Sequence, residues 1–108
     1  MLAEKKIEQL LRDAVRSVGG RAYKFVSPGN DGVPDRIVCL PDGKTIFVEL
    51  KTAKGRLTKL QNGQIQRLED MQQDVLVIYG VKGLVAFFDF CGMNEQADKI
   101  RRNYADEI

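Results

Sequence analysis

From Glu4 to Val18 the apolar residues Ile7, Leu10, Leu11, Ala14, Val15 and Val18 recur at helical spacing, and Gly19-Gly20 ends the pattern. This spacing predicts an amphipathic helix. Arg21–Val26 reads as a short strand running into the turn-rich Ser27-Pro28-Gly29-Asn30-Asp31-Gly32, and Pro34–Leu40 and Lys44–Leu50 read as two further strands. Along the last of these Phe47 points one way and Ile46, Val48 and Leu50 the other, so both faces are apolar and a sheet covered by helices is predicted. Thr58 to Gln73 carries Leu60, Ile65, Leu68 and Met71 at helical spacing, opened by Thr58-Lys59-Leu60-Gln61, which has the form of a capping box. Asp74–Gly80 and Leu84–Phe88 read as strands tightly connected by Val81-Lys82-Gly83, and a last helix is predicted from Asn94 toward Tyr104. The order is αβββαββα, an α/β sandwich of a central sheet flanked by helices.

A chain of 108 residues, 44% apolar and 30% charged, is the size of one domain, and 1–108 is read as a single unit. Its apolar runs fall short of a membrane span, and Met1–Arg16 has no uninterrupted apolar stretch of the signal-peptide kind, so the expected location is cytoplasmic, the host cell's cytoplasm if the source is viral. Cys39 and Cys91 are far apart in sequence and form no C-x-x-C pair, which excludes a zinc knuckle and predicts reduced core thiols. Histidine is absent. Catalysis must therefore rest on carboxylates, lysine or an oxygen-bound metal. The aromatic residues fall mostly in predicted strands or at their ends, where core packing is the expected role.

The chemistry is concentrated in GVPDRIVCLPDGKTIFVELK, residues 32–51. Pro41-Asp42-Gly43 has the composition of a three-residue hairpin loop, a type I turn followed by a left-handed glycine. If Leu40 and Lys44 flank it, Asp35 falls opposite Glu49, and Lys51 joins the same face two residues later. Singly, each has an ordinary reading: Asp35 as a residue of a turn, Glu49 and Lys51 as an ion pair of small worth. Together they place two carboxylates side by side on an apolar sheet, a repulsion that one ammonium offsets only in part and a hard divalent cation offsets better. Mg²⁺ binds through one or two carboxylates plus water and phosphate oxygens. Asp35 and Glu49 are the candidate ligands, with the backbone carbonyl of Leu50 as a third. Lys51 would stand beside the attacking water, which points to phosphodiester hydrolysis.

Gly32-x-Pro34-Asp35-Arg36 followed by Val48-Glu49-Leu50-Lys51 resembles the PD-(D/E)xK nuclease signature. The longer string, from Lys24-Phe25-Val26-Ser27-Pro28-Gly29 through these motifs to Arg56-Leu57-Thr58-x-x-Gln61, resembles the virus-type replication-repair nuclease (VRR-NUC) family, particularly its small stand-alone phage members. The resemblance covers roughly the first three quarters of the chain. It implies a restriction-endonuclease-like fold and an Mg²⁺- or Mn²⁺-dependent DNA endonuclease, with Asp35 and Glu49 on the metal and Lys51 as the catalytic lysine. It also implies an acid on the first helix, for which Glu4 and Glu8 are equal candidates, and a role for Gln61 in orienting water or substrate. By family analogy the substrate is branched, flap or Holliday-junction DNA, met in replication, repair or recombination. A symmetric double cut needs two sites, hence a homodimer, and the apolar positions Met93, Ala97, Ile100 and Tyr104 offer a stripe for it or for the chain's own sheet.

Lys54, Arg56 and Lys59 form a basic segment beside these residues, placed to bind phosphates, with Lys24 and Ser27 flanking the strand to be cut. Lys5, Lys6, Arg12 and Arg16 decorate the first helix, and Arg36 alternates onto the face opposite Asp35. The rival readings are a non-catalytic nucleic-acid-binding module of the same fold and an interaction protein whose charges form an ion-pair network.

Overall fold

In the computed structural model, which describes residues 1–108, the stripe of Ile7, Leu11 and Val15 lies on α1, Glu4–Ser17, and is buried. The helix ends where Gly19 turns with φ +87. Four strands follow the order β1-β2-β3-β4: β1 is Arg21–Lys24, β2 Arg36–Cys39, β3 Thr45–Lys51 and β4 Val75–Tyr79. β1, β2 and β3 are antiparallel neighbours, and β4 runs parallel to β3. The crossover to β4 contains α2, Lys59–Asp70; α3, Gly80–Phe90, starts where β4 ends, and α4, Asn94–Asn103, leads to a short 3₁₀ turn at Ala105–Glu107.

The hairpin register is the predicted one. Arg36 pairs with Val48, Ile37 with Phe47, Val38 with Ile46 and Cys39 with Thr45. Gly43 takes φ +93, the left-handed conformation that closes the loop.

The expected fifth strand at Leu84–Phe88 is instead part of α3, and Val81-Lys82-Gly83 is that helix's first turn rather than a connection. Val81, Leu84, Val85 and Phe88 stand at i, i+3, i+4 and i+7 and are all buried, with Phe87 buried beside them. The helix exposes Lys82, Ala86, Asp89 and Phe90, and within Leu84–Phe88 only Ala86 lies on that face, so this short run has the apolar composition of a buried strand. The sheet therefore has four strands, not five.

One face of this sheet carries the core. Val38, Ile46, Val48, Leu50 and Ile78 meet the stripes of α1 and α3, and Met93, Ala97 and Ile100 pack into the same cluster. The apolar stripe at the end of the chain is thus covered by the chain's own core. The other face is covered less deeply than expected. Phe47 meets Phe25 with ring centroids 5.6 Å apart, and α2 packs beside β4 without burying any of its residues fully. Leu60 and Met71 remain exposed, as do Tyr23, Tyr79 and Phe90, three aromatics for which core packing was expected. Cys91 is buried, Cys39 partly so, and both are free thiols. No helix is long and apolar enough to cross a membrane.

Candidate active site

Pro34 shapes the site by ending a ladder. The β2–β3 register pairs residues whose numbers sum to 84, so the position opposite Leu50 falls on Pro34. Proline has no N–H to donate to the Leu50 carbonyl. The Leu50 N–H is taken instead by a side chain: it donates to Asp35 Oδ2 at 2.8 Å. One residue past the last regular pair, the carboxylate of Asp35 is thus fixed against β3, beside Glu49.

Glu49 is 1% exposed and is the buried charged residue of the protein. Gln61 Nε2 donates to its Oε2 at 2.9 Å, and Lys51 Nζ lies 3.7 Å from the same oxygen. Its other oxygen, Oε1, is buried without any hydrogen-bond partner. A buried carboxylate oxygen left unpaired is costly. Burial above all, and then the charge of Asp35, push the Glu49 carboxyl up to about 7, while the Lys51 ammonium acts in the opposite direction.

Gln61 serves two ends of one helix start. Thr58 Oγ1 accepts from the Gln61 N–H at 3.1 Å, and Gln61 Oε1 accepts from the Thr58 N–H at 2.9 Å, completing the predicted capping box. The amide's remaining Nε2 is the group that reaches Glu49. The cap and the contact with the buried acid are one arrangement.

Gly32 holds the loop before Asp35 against this helix start. It has φ +88, and a Cβ there would come 2.7 Å from the Leu60 carbonyl carbon. Only glycine permits both the backbone conformation and the approach. Gly80, at φ +64, plays the equivalent part after β4, where a Cβ would meet the Ala53 Cβ at 2.9 Å and push away the segment that follows Lys51.

The two acids of α1 have different surroundings. Glu8 is held by Arg36, whose Nε lies 2.9 Å from Glu8 Oε2 while Nη1 donates to the Ala22 carbonyl at 3.1 Å. Glu4 is exposed and makes no salt bridge; its carboxyl is raised, first by desolvation and then by the charge of Asp35, while Lys51 pulls it down. No three carboxylates approach closely enough to cage an ion on their own. Asp35 and Glu49 are the pair the fold brings together.

Lys54, Arg56 and Lys59 are exposed on the segment between β3 and α2, and Lys24 is exposed at the end of β1, with Ser27 partly exposed three residues on. None of the four cations makes a salt bridge. One neighbour was not anticipated from sequence. Tyr79, 39% exposed, is the parallel partner of Lys51 and shares its face of the sheet. A tyrosine ending an apolar strand carries no signal of its own; the β3–β4 pairing, set by a long crossover, is what brings it there.

The donor set suits a hard cation. Two adjacent carboxylates, one with a buried unpaired oxygen, and a backbone carbonyl released from its ladder are the oxygen ligands that Mg²⁺ and Mn²⁺ prefer.

The VRR-NUC domain family model matches residues 1–82. A protein of Acyrthosiphon pisum secondary endosymbiont phage 1, named "Putative nuclease p44", is 47% identical over 78 residues, covering 72% of this chain and 84% of the phage protein. Among solved structures, a "VRR_NUC domain" superimposes with a TM-score of 0.67 at 24% identity, covering 94% of this chain and 96% of its own. A "VRR_NUC domain protein" does so with a TM-score of 0.63 at 13% identity, over 82% and 86% of the two chains. The last two share the fold; with the sequence match across β1, β2, β3 and α2, they lead to one assignment. The chain belongs to the VRR-NUC family of nucleases.

Proposed function

We propose that the protein is a DNA endonuclease that uses Mg²⁺ or Mn²⁺ held by Asp35 and Glu49. The observation that carries this reading is the unpaired, buried Oε1 of Glu49 beside a second carboxylate. An isolated acid pair in that setting destabilises the fold, and a bound cation removes the penalty. Asp35 and Glu49 would be ligands and the Leu50 carbonyl a third; of the two acids of α1, Glu4 is free to contribute, while Glu8 would first have to leave Arg36. A metal held there would supply Lewis-acid polarisation of a phosphate oxygen and a lowered pKa for the attacking water. Lys51, 12% exposed and next to Glu49, orients that water and offsets the charge that builds on the phosphorus oxygens. Gln61 fixes the rotamer of Glu49.

The basic run Lys54, Arg56 and Lys59 binds backbone phosphates on one side of the cut and Ser27 approaches it from the other, whereas Lys24, the cross-strand partner of Arg36, lies on the sheet face opposite Asp35 and is removed from the cut. The substrate we propose is branched DNA, a flap or a Holliday junction, cut by a homodimer that supplies two sites. Because the stripe of α4 is buried within the chain, that dimer must use another surface.

A plasmid-nicking assay with Mg²⁺ or Mn²⁺ tests the reading. Wild type should nick, while Asp35→Asn, Glu49→Gln and Lys51→Ala should each lose at least about a hundredfold in rate, the scale of removing one preorganised electrostatic contact. A wild-type chain that binds DNA but leaves it uncut with either metal would make it a non-catalytic binding module instead.

A further inference from the structure

Glu4, Glu8, Arg12 and Arg16 follow one another at intervals of four along α1. At 1.5 Å per residue this column is about 18 Å long. Its first member is exposed at the helix start, its second is tied to Arg36, and its last two open onto a separate cleft of about 240 Å³. Arg21 and Lys24 of β1 and Arg36 of β2 complete the cationic lining, with Tyr23 at the rim, and no carboxylate lines the cleft.

This clustering is unfavourable in isolation. Lys24 and Arg36 are direct cross-strand partners, and Arg12 and Arg16 are one turn apart on a helix, so like charges meet in both places. Only Arg36 has an acidic partner; Arg12, Arg16, Arg21 and Lys24 make no salt bridge. Arg36 uses Nε and Nη1 within the protein, and its Nη2 makes no protein hydrogen bond.

We infer that this cleft is a second phosphate-backbone site, which holds the duplex arm leaving the cut along α1 and past the β1 edge of the sheet. The inference rests on the nuclease reading for where the arm comes from, but not for the binding itself. Cations spread over two turns of helix and an edge strand fit successive phosphates better than one terminal phosphate, and arginine's fork suits phosphate oxygens. The Glu8–Arg36 pair separates this rail from the metal ligands.

Binding of a fluorescein-labelled duplex of about 20 base pairs, followed by anisotropy without divalent cation across a salt series, tests the cleft; each phosphate neutralised contributes about 0.9 to the slope of log K against log salt. The triple change Arg12→Gln, Arg16→Gln, Arg21→Gln should lower that slope by about 2 to 3 and weaken binding roughly tenfold or more. These residues are exposed, so folding should persist, and the matching triple change to lysine should keep the wild-type slope. A glutamine triple that binds with the wild-type slope overturns the cleft, whether or not the enzyme cuts DNA. A reduced slope in a chain that never cuts upholds the cleft and removes only the nuclease reading.

Discussion

At the scale of single residues, Glu49 decides the behaviour of the site. Its carboxyl rises to about 7 in the fold from an ordinary 4.5, first by burial and then through Asp35. A raised carboxyl means the folded state holds the proton more tightly than the unfolded state. That contribution is fully present below about pH 4.5 and is lost as pH climbs through 7. Glutamine mimics the protonated acid and can still accept from Gln61. Metal-free Glu49→Gln should therefore match wild type below pH 4.5 and exceed it by about 1–3 kcal/mol above pH 8, measured by urea denaturation across pH. An unchanged difference between the two pH values would mean that the buried acid is not strained.

The same scale shows what sequence carries and what it withholds. Opposing Asp35 and Glu49 followed from a three-residue loop and the two-residue period of a strand, both local rules, and the observed register agrees with them. The two acids of α1 could not be separated that way, because both border the same stripe; what distinguishes them is Arg36, which reaches Glu8 across 28 positions. Gln61 was legible as a cap and as a family residue. That one amide satisfies Thr58 with its oxygen and Glu49 with its nitrogen follows only from how α2 docks beside β3, which no local pattern encodes.

At the scale of elements, the site depends on how tightly the loop before β2 meets the start of α2. Gly32→Ala must strain a backbone at φ +88 and push a methyl against Leu60, so it should cost more than about 1 kcal/mol and move Asp35 away from Leu50. A thermal melt and the nicking rate should fall together. Thr58→Ala removes the cap for about 1 kcal/mol and loosens Gln61, so its loss of activity should exceed what its modest loss of stability explains. The misread element, α3, is instructive in the same terms. Its apolar run is long enough for a strand and its period is helical, but two of the four exposed positions are Ala86 and Phe90, so the solvent face carries too few polar residues to reveal the period. Leu84→Ala should cost about 2–5 kcal/mol, since Leu84 is completely buried among α1 and the sheet.

At the scale of the whole molecule, the two faces of the sheet are covered unequally. The apolar stripes of α1, α3 and α4 fill the first. α2 covers the second only in part, and its first turn lies over the buried Glu49, to which Gln61 donates. Alternation along β3 foretold two apolar faces, but not their unequal burial, because cover depends on where α2 docks after a crossover whose course has no local code. If a homodimer forms, light scattering should report about twice the 12.2 kDa of the chain. A strict monomer would leave no basis for a paired cut.

The most direct measurement is isothermal titration of Mn²⁺ into the wild-type chain and into Glu49→Gln at pH 8. The wild type should bind the ion and the variant should bind it at least about tenfold more weakly, the loss of one carboxylate charge from the pair. Equal heats from both chains, or none from either, would contradict a cation held between Asp35 and Glu49.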